Sequence, residues 1–174
     1  MKFKGALLLC LLLVGCDKPN DTQLVTETGR ELQRTIDTNP MRITCEKIAK
    51  GREWLSRNMV RKLEAQGCDQ VFRSATETNF TDSTIYRRTM TMVCGGIHGQ
   101  SFTGTELTRR FIFSPDEKVL VIEPMTEMDK TRFEGHKTLQ QLQDDFNRQQ
   151  QQYCQVITPA PPASAVPVNS VTAR

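Results

Sequence analysis

At Gly67 the chain changes its hydrophobic period, and that change sets the fold class. Upstream, "NPMRITCEKIAKGREWLSRNMVRKLEAQG" offers Asn39 as an N-cap, Pro40 at the first helical position and Gly67 just past the end, which predicts one helix over 40–66. Its apolar side runs through Met41, Cys45, Ile48, Met59 and Leu63, with Arg52 inside the stripe and Trp54 opposite it. A shorter helix over 22–37 is predicted from Leu24, Thr28, Leu32 and Ile36, spaced four apart. Downstream, residues 69–123 are rich in Thr, Val, Ile and Phe and broken by turn clusters, which predicts antiparallel strands at 69–78, 84–94, 101–113 and 118–123. The connections are then 79–83, the "GGIHGQ" of 95–100, and 114–117, where Pro115 suits the second position of a type I turn. A short helical turn is expected after Pro124, followed by an amphipathic helix with Leu139, Leu142, Phe146 and Tyr153 on one face. Helices, then strands, then a helix make an α+β domain: a four-stranded antiparallel meander packed against N-terminal helices and a C-terminal helix, the helices covering one face of the sheet.

The two ends of the chain read differently from this domain. Lys2 and Lys4 precede an apolar run from Ala6 to Val14, the layout of a secretory signal and well short of the ~20 residues a spanning helix needs. The run closes on Leu13, Val14, Gly15 and Cys16, which resembles the lipobox of bacterial lipoprotein precursors. The resemblance implies cleavage after Gly15, a diacylglycerol on the Cys16 thiol and a chain held to a lipid bilayer by acyl groups. Asp17 directly after the cysteine resembles the inner-membrane retention signal of enteric lipoproteins, so a periplasm-facing protein of the inner membrane is expected, with the outer membrane as the alternative. Residues 1–15 are thus a signal peptide, 16–21 a lipidated tether, 22–157 a single domain, and the Pro-, Ala- and Ser-rich 158–174 an extended tail. Of the 23 basic residues two leave with the signal, so 21 face 20 acidic ones and the mature chain is near +1, a balance that asks for no nucleic acid.

Cys45, Cys68, Cys94 and Cys154 remain in the domain, an even count that predicts two disulfides in an exported chain. One continuous helix at 1.5 Å per residue would hold Cys45 roughly 30 Å from Cys68, beyond the ~7 Å limit of a disulfide. A hairpin turning about Thr81 would set Cys68 opposite Cys94 and Phe72 opposite Met90. The expected pairs are therefore Cys68 with Cys94 and Cys45 with Cys154. Spacings of 23, 26 and 60 residues contain no C-x-x-C knuckle, so no structural metal is expected.

Catalytic chemistry lacks candidates. His98 and His136 have no second ligand at metal spacing, no nucleophile elbow or phosphate loop occurs, every domain cysteine is assigned, and no acidic pair stands out. No cofactor is expected. The cationic residues Arg73, Arg87, Arg88, Arg109 and Arg110 fall on three consecutive expected strands, with Arg73 and Arg87 on one face, a candidate docking patch for an anionic partner. The functional expectation is a non-enzymatic accessory or assembly factor of a larger envelope complex, of secretion or conjugation type, with an envelope protein as partner. A defensive or inhibitory lipoprotein is the alternative, and an envelope hydrolase a third class for which no catalytic couple is found.

Overall fold

The computed structural model describes residues 19–49, 56–80, 82–131 and 133–155. Cys16, Asp17, Arg52, Trp54, Thr81 and the 158–174 segment, all singled out above, lie outside the described residues. The domain is α+β, with a four-stranded antiparallel sheet in the order β1-β2-β3-β4. Its strands are β1 (Thr84–Arg87), β2 (Thr91–Gln100), β3 (Glu106–Ser114) and β4 (Val119–Ile122).

Helix α1 (Asp21–Asp37) begins at a capping box in which Asn20 and Gln23 each satisfy the other's backbone N–H. Its predicted stripe is its buried stripe: Leu24, Thr28, Leu32 and Ile36 are all at most 4% exposed. The Thr28 hydroxyl is buried without penalty because it donates to the Leu24 carbonyl at 2.7 Å.

The single long helix expected over 40–66 is two helices, α2 (Pro40–Ala49) and α3 (Arg57–Glu64). The punctuation at its ends is as read: Asn39 Oδ1 accepts from the Met41 and Arg42 amides, and Gly67 adopts the left-handed φ of 74°. What the outer signals concealed is a new start at Ser56, whose hydroxyl accepts from the Met59 amide. Because α3 packs back on α2, Cys68 returns beside Cys45, and the two are bonded with Cα atoms 5.7 Å apart. Cys94 is bonded to Cys154, Cα to Cα 5.9 Å. Both expected pairings are therefore corrected: the exclusion of Cys45–Cys68 assumed an unbroken helix. Cys45 and Cys68 close a small core with Leu63 and Phe102.

The strand expected at 69–78 is absent. That stretch forms two single 3-10 turns, Cys68–Gln70 and Ala75–Glu77, and its backbone pairs with the sheet only at isolated bridges, Phe72 with Ser101 and, just beyond, Asn79 with His98. The expected 84–94 strand instead folds at residues 88–90 into β1 and the start of β2, and "GGIHGQ" lies inside β2 rather than in a connection. Glycines occupy this strand because neighbours approach too closely for a side chain. A Cβ at Gly95 would lie 2.9 Å from the Asp82 carbonyl oxygen and 3.0 Å from the Phe111 ring, and one at Gly99 2.8 Å from Thr78 Cγ2. β2 and β3 are joined by a short loop locked by buried Ser101, whose Oγ accepts from the Thr103 and Thr105 amides, and Gly104 supplies the φ of 84°.

Helices cover both faces of the sheet, not one. Val93, Ile97, Phe111 and Phe113 point to the face closed by Leu24, Leu32 and Ile36 of α1. Met92, Cys94 and Ile112 alternate to the other face, against Phe146 of helix α4 (Leu139–Tyr153). This alternation makes β3 apolar on both sides, so Phe111, Ile112 and Phe113 are all buried in succession. Each such side chain contributes about 1.5–3 kcal/mol on burial. α4 starts at a second capping box, Thr138 with Gln141, and ends at the Cys94–Cys154 bond.

Candidate functional site

A groove of about 560 Å³ runs along the β4 edge of the sheet. All four consecutive residues of β4, Val119 to Ile122, line it. Successive strand residues face opposite sides of a sheet, so a cavity that touches four in a row must run along the strand's free edge. One wall comes from the last turn of α1 and its exit, with Ile36, Asn39 and Arg42; the other from α4, with Leu142, Phe146 and Gln149. Pro124, Asp129 and Phe133 close the end beyond Ile122. Most of the lining surface is apolar, interspersed with polar and charged side chains on both walls, and the volume falls in the range of about 300–1,000 Å³ common to ligand sites. The sequence marked 118–123 only as a strand. Its charge-free "VLVI" was the available signal for an unprotected edge.

Arg109 lies at this closed end. It is 7% exposed, its Nη1 is 3.4 Å from both carboxylate oxygens of Asp129, its Nη2 donates to the Gln70 carbonyl, and its guanidinium sits 5.8 Å from the centroid of the Phe72 ring. Its Nε–H is the buried side-chain donor left without an acceptor among the described residues. A buried unmet donor costs about 1–3 kcal/mol, so such groups require an explanation. Asp129 itself is held by the Met125 and Thr126 amides, each at 2.9 Å, and its placement is therefore rigid.

Arg110, the next residue, points to the opposite face. It pairs with Glu123, donates to Asn147 Oδ1 at 2.8 Å and to Gln150 Oε1, and lies 5.2 Å from the centroid of Phe146. The hydrogen bonds from Arg110 hold the Glu123 carboxyl below the usual carboxylate range, against the opposing effect of partial burial, and the same bonds raise the Arg110 guanidinium. At the α4 rim, Lys137 bonds Asp145 and Glu134. Its bond lowers the Asp145 carboxyl and raises the Lys137 ammonium, while the Thr131 hydroxyl and amide are the main cause of the lowered Glu134.

The five arginines read as a patch do not share a surface. Arg73 pairs with Glu77 at 2.6 Å, Arg87 with Asp21 at 2.6 Å, and Arg88 donates to the Gln152 carbonyl at 2.9 Å, while Arg109 and Arg110 divide between the two faces. The shared face assumed a strand at 69–78, and without that strand the register linking Arg73 to Arg87 is gone. His98 Nδ1 lies 3.1 Å from the Thr108 hydroxyl and its Nε2 3.6 Å from Asp82. Among the described residues no cluster of His, Cys, Asp and Glu has the geometry to hold a metal ion, and no helix is long and apolar enough to cross a membrane. Comparison of the chain with protein-family models, with curated proteins and with solved structures finds no match.

Proposed function

We propose that this chain is an acyl-anchored envelope lipoprotein whose folded domain is a non-enzymatic binding module, presenting the β4 groove to a protein partner in a larger envelope assembly. One observation carries the reading: the described chain begins at one end of α1 and the groove lies at the other. The described chain begins at Pro19, whose carbonyl accepts from Arg87 Nη2 at 3.3 Å, while Arg87 Nη1 holds Asp21. From that corner α1 runs 17 residues, about 25 Å at 1.5 Å per residue, before its last turn meets the groove. A lipid on Cys16 would leave only Asp17 and Lys18 between it and Pro19, so the start of α1 would sit against the bilayer and the groove would face away from it. Headgroup binding by Arg87 is disfavoured in turn, because that guanidinium already serves Asp21. The two bonded cysteine pairs support folding in an oxidising compartment.

Metabolic labelling with an alkyne fatty acid in an enteric bacterium tests the anchor. The wild-type chain should label and sediment with membranes, and Cys16→Ser should do neither. A photocrosslinking residue at Val119 should then trap an envelope protein that the same probe at Thr84 does not. A chain that remains unlabelled and soluble, or equal trapping from both sites, rejects the reading.

A further inference from the structure

We infer that the groove takes an extended peptide segment of the partner, which adds to the sheet as a fifth strand against β4. This deepens the reading above and rests on the groove being the contact surface. The sheet order ends at β4, so among the described residues no strand pairs with its outer side. The ladder tells which groups point there. Arg110 lies opposite Glu123, whose N–H donates to the Arg110 carbonyl at 2.9 Å, so Glu123 turns inward to β3. Alternation in an antiparallel pair turns Val121 and Val119 inward as well, and directs the N–H and C=O groups of Leu120 and Ile122 outward into the groove. Two donors and two acceptors at the spacing of a strand are met by another backbone in extended form.

The walls specify the side chains. A strand laid there alternates its residues between the α1 wall, where Ile36 lies beside Asn39 and Arg42, and the α4 wall, where Leu142 and Phe146 lie beside Gln149. The charges of the lining are matched within the protein: Arg109 with Asp129, Asp145 with Lys137 and Arg148, Glu134 with Lys137, and Arg42 with Asp37 and Glu46. Charge complementarity therefore calls for an uncharged, apolar segment. At the Ile122 end, the unmet Nε–H of buried Arg109 offers a further donor to a carbonyl of the incoming chain.

The test uses the full chain with both disulfides oxidised, in phospholipid nanodiscs where it is acylated and in plain buffer where it is not. Decapeptides selected from a random phage-displayed library are synthesised and added, and amide hydrogen exchange is followed at single residues. The expected result is enrichment of uncharged sequences with apolar residues at successive positions, and exchange at Leu120 and Ile122 slowed at least tenfold while Val119 and Val121 are unchanged. N-methylating the two peptide amides that face β4 should weaken affinity at least tenfold, and N-methylating the intervening ones should not. Selection of no peptide overturns the inference, as does full affinity in both N-methylated forms. So does slow exchange at Leu120 and Ile122 before any peptide is added, whether independent of protein concentration, which indicates residues of the chain itself on the edge, or increasing with it, which indicates a second copy. The outcome is independent of the anchor: peptide capture by a chain that fails the fatty-acid labelling would retain the groove and discard the envelope, and the reverse pattern would do the opposite.

Discussion

The two edges of the sheet have the same length and opposite chemistry. β1, Thr84–Arg87, carries an arginine tied to Asp21 at its end, and the turn after it places Arg88 on the Gln152 carbonyl. β4 reads Val-Leu-Val-Ile, and its flanking charges are turned away along the chain, Lys118 to Glu27 and Glu123 to Arg110. An exposed edge invites pairing with another chain, and charge or brevity is the usual defence. β1 has both defences and β4 only brevity, with a groove in front of it. The difference leaves the open edge on one side of the sheet and the start of α1, held by Arg87, on the other.

The strongest way to break this comparison is through the wall of the β4 groove. α4 has no ladder of hydrogen bonds to the sheet; it is held by Phe146, by side-chain contacts and by Cys94–Cys154, which closes 60 residues. Cys94→Ala with Cys154→Ala should lower the unfolding free energy by about 4 kcal/mol in the chain-entropy account. Urea unfolding checks the number, and exchange along 139–153 should rise well before that of β2 and β3. Cys45–Cys68 closes only 23 residues and lies in a core that contains no residue of α4. Its removal should cost about 3 kcal/mol and leave exchange in α4 unchanged. Equal effects on α4 from the two removals would mean that the groove wall is not held separately from the rest.

A smaller effect is expected at the end of β4. Glu123→Gln removes the ionised partner of Arg110 and should cost about 1 kcal/mol at pH 7, no more because the Arg110 side chain is 40% exposed and water screens the pair. The sign follows from the lowered Glu123 carboxyl. Its contribution is present above the unfolded-state value, near 4.5, and is lost as pH falls through the lower folded-state value. The difference between wild type and Glu123→Gln in urea melts should therefore be constant from pH 7 to about 5 and shrink below the ordinary carboxylate range.

Much of the frame was legible because it is local. α1 and α4 announce themselves by their apolar period, to which the structure adds reciprocal caps at Asn20–Gln23 and Thr138–Gln141, and the strand-rich middle announces itself by composition. The misreadings share one physical origin: residues whose local signal is overridden by what approaches them in space. Gly95 and Gly99 look like turn residues and are close-approach residues in a strand, because the Phe111 ring, the Asp82 carbonyl and Thr78 leave no room for a Cβ. The interval between α2 and α3 was hidden by well-formed signals at Asn39 and Gly67, although Gly51 and the Ser56 cap stood inside it. Once that helix was read as continuous, the cysteine pairing had to be wrong, since Cys45 and Cys68 meet only after the chain reverses. The groove was illegible for a different reason: Ile36, Arg109, Leu120 and Leu142 are brought together by topology, and no spacing along the chain records it.

The least costly substitutions give the sharpest test of the two edges. Arg87→Ala removes a half-exposed ion pair from β1 and should change stability by no more than about 0.5 kcal/mol. It should leave peptide capture at β4 unchanged, since the free groups of Leu120 and Ile122 lie at the other side of the sheet. Val119→Lys should be as mild in urea melts, because Val119 is 49% exposed and its backbone pairing with Ser114 is retained. A lysine there gives β4 the defence that β1 already has, an ammonium at the mouth of an apolar groove that any incoming strand would have to desolvate. Selected peptides should therefore lose at least tenfold in affinity for Val119→Lys and nothing for Arg87→Ala, read by titration of a fluorescent peptide. Equal affinities for the two variants would show that the chemical difference between the edges is not what recognition uses.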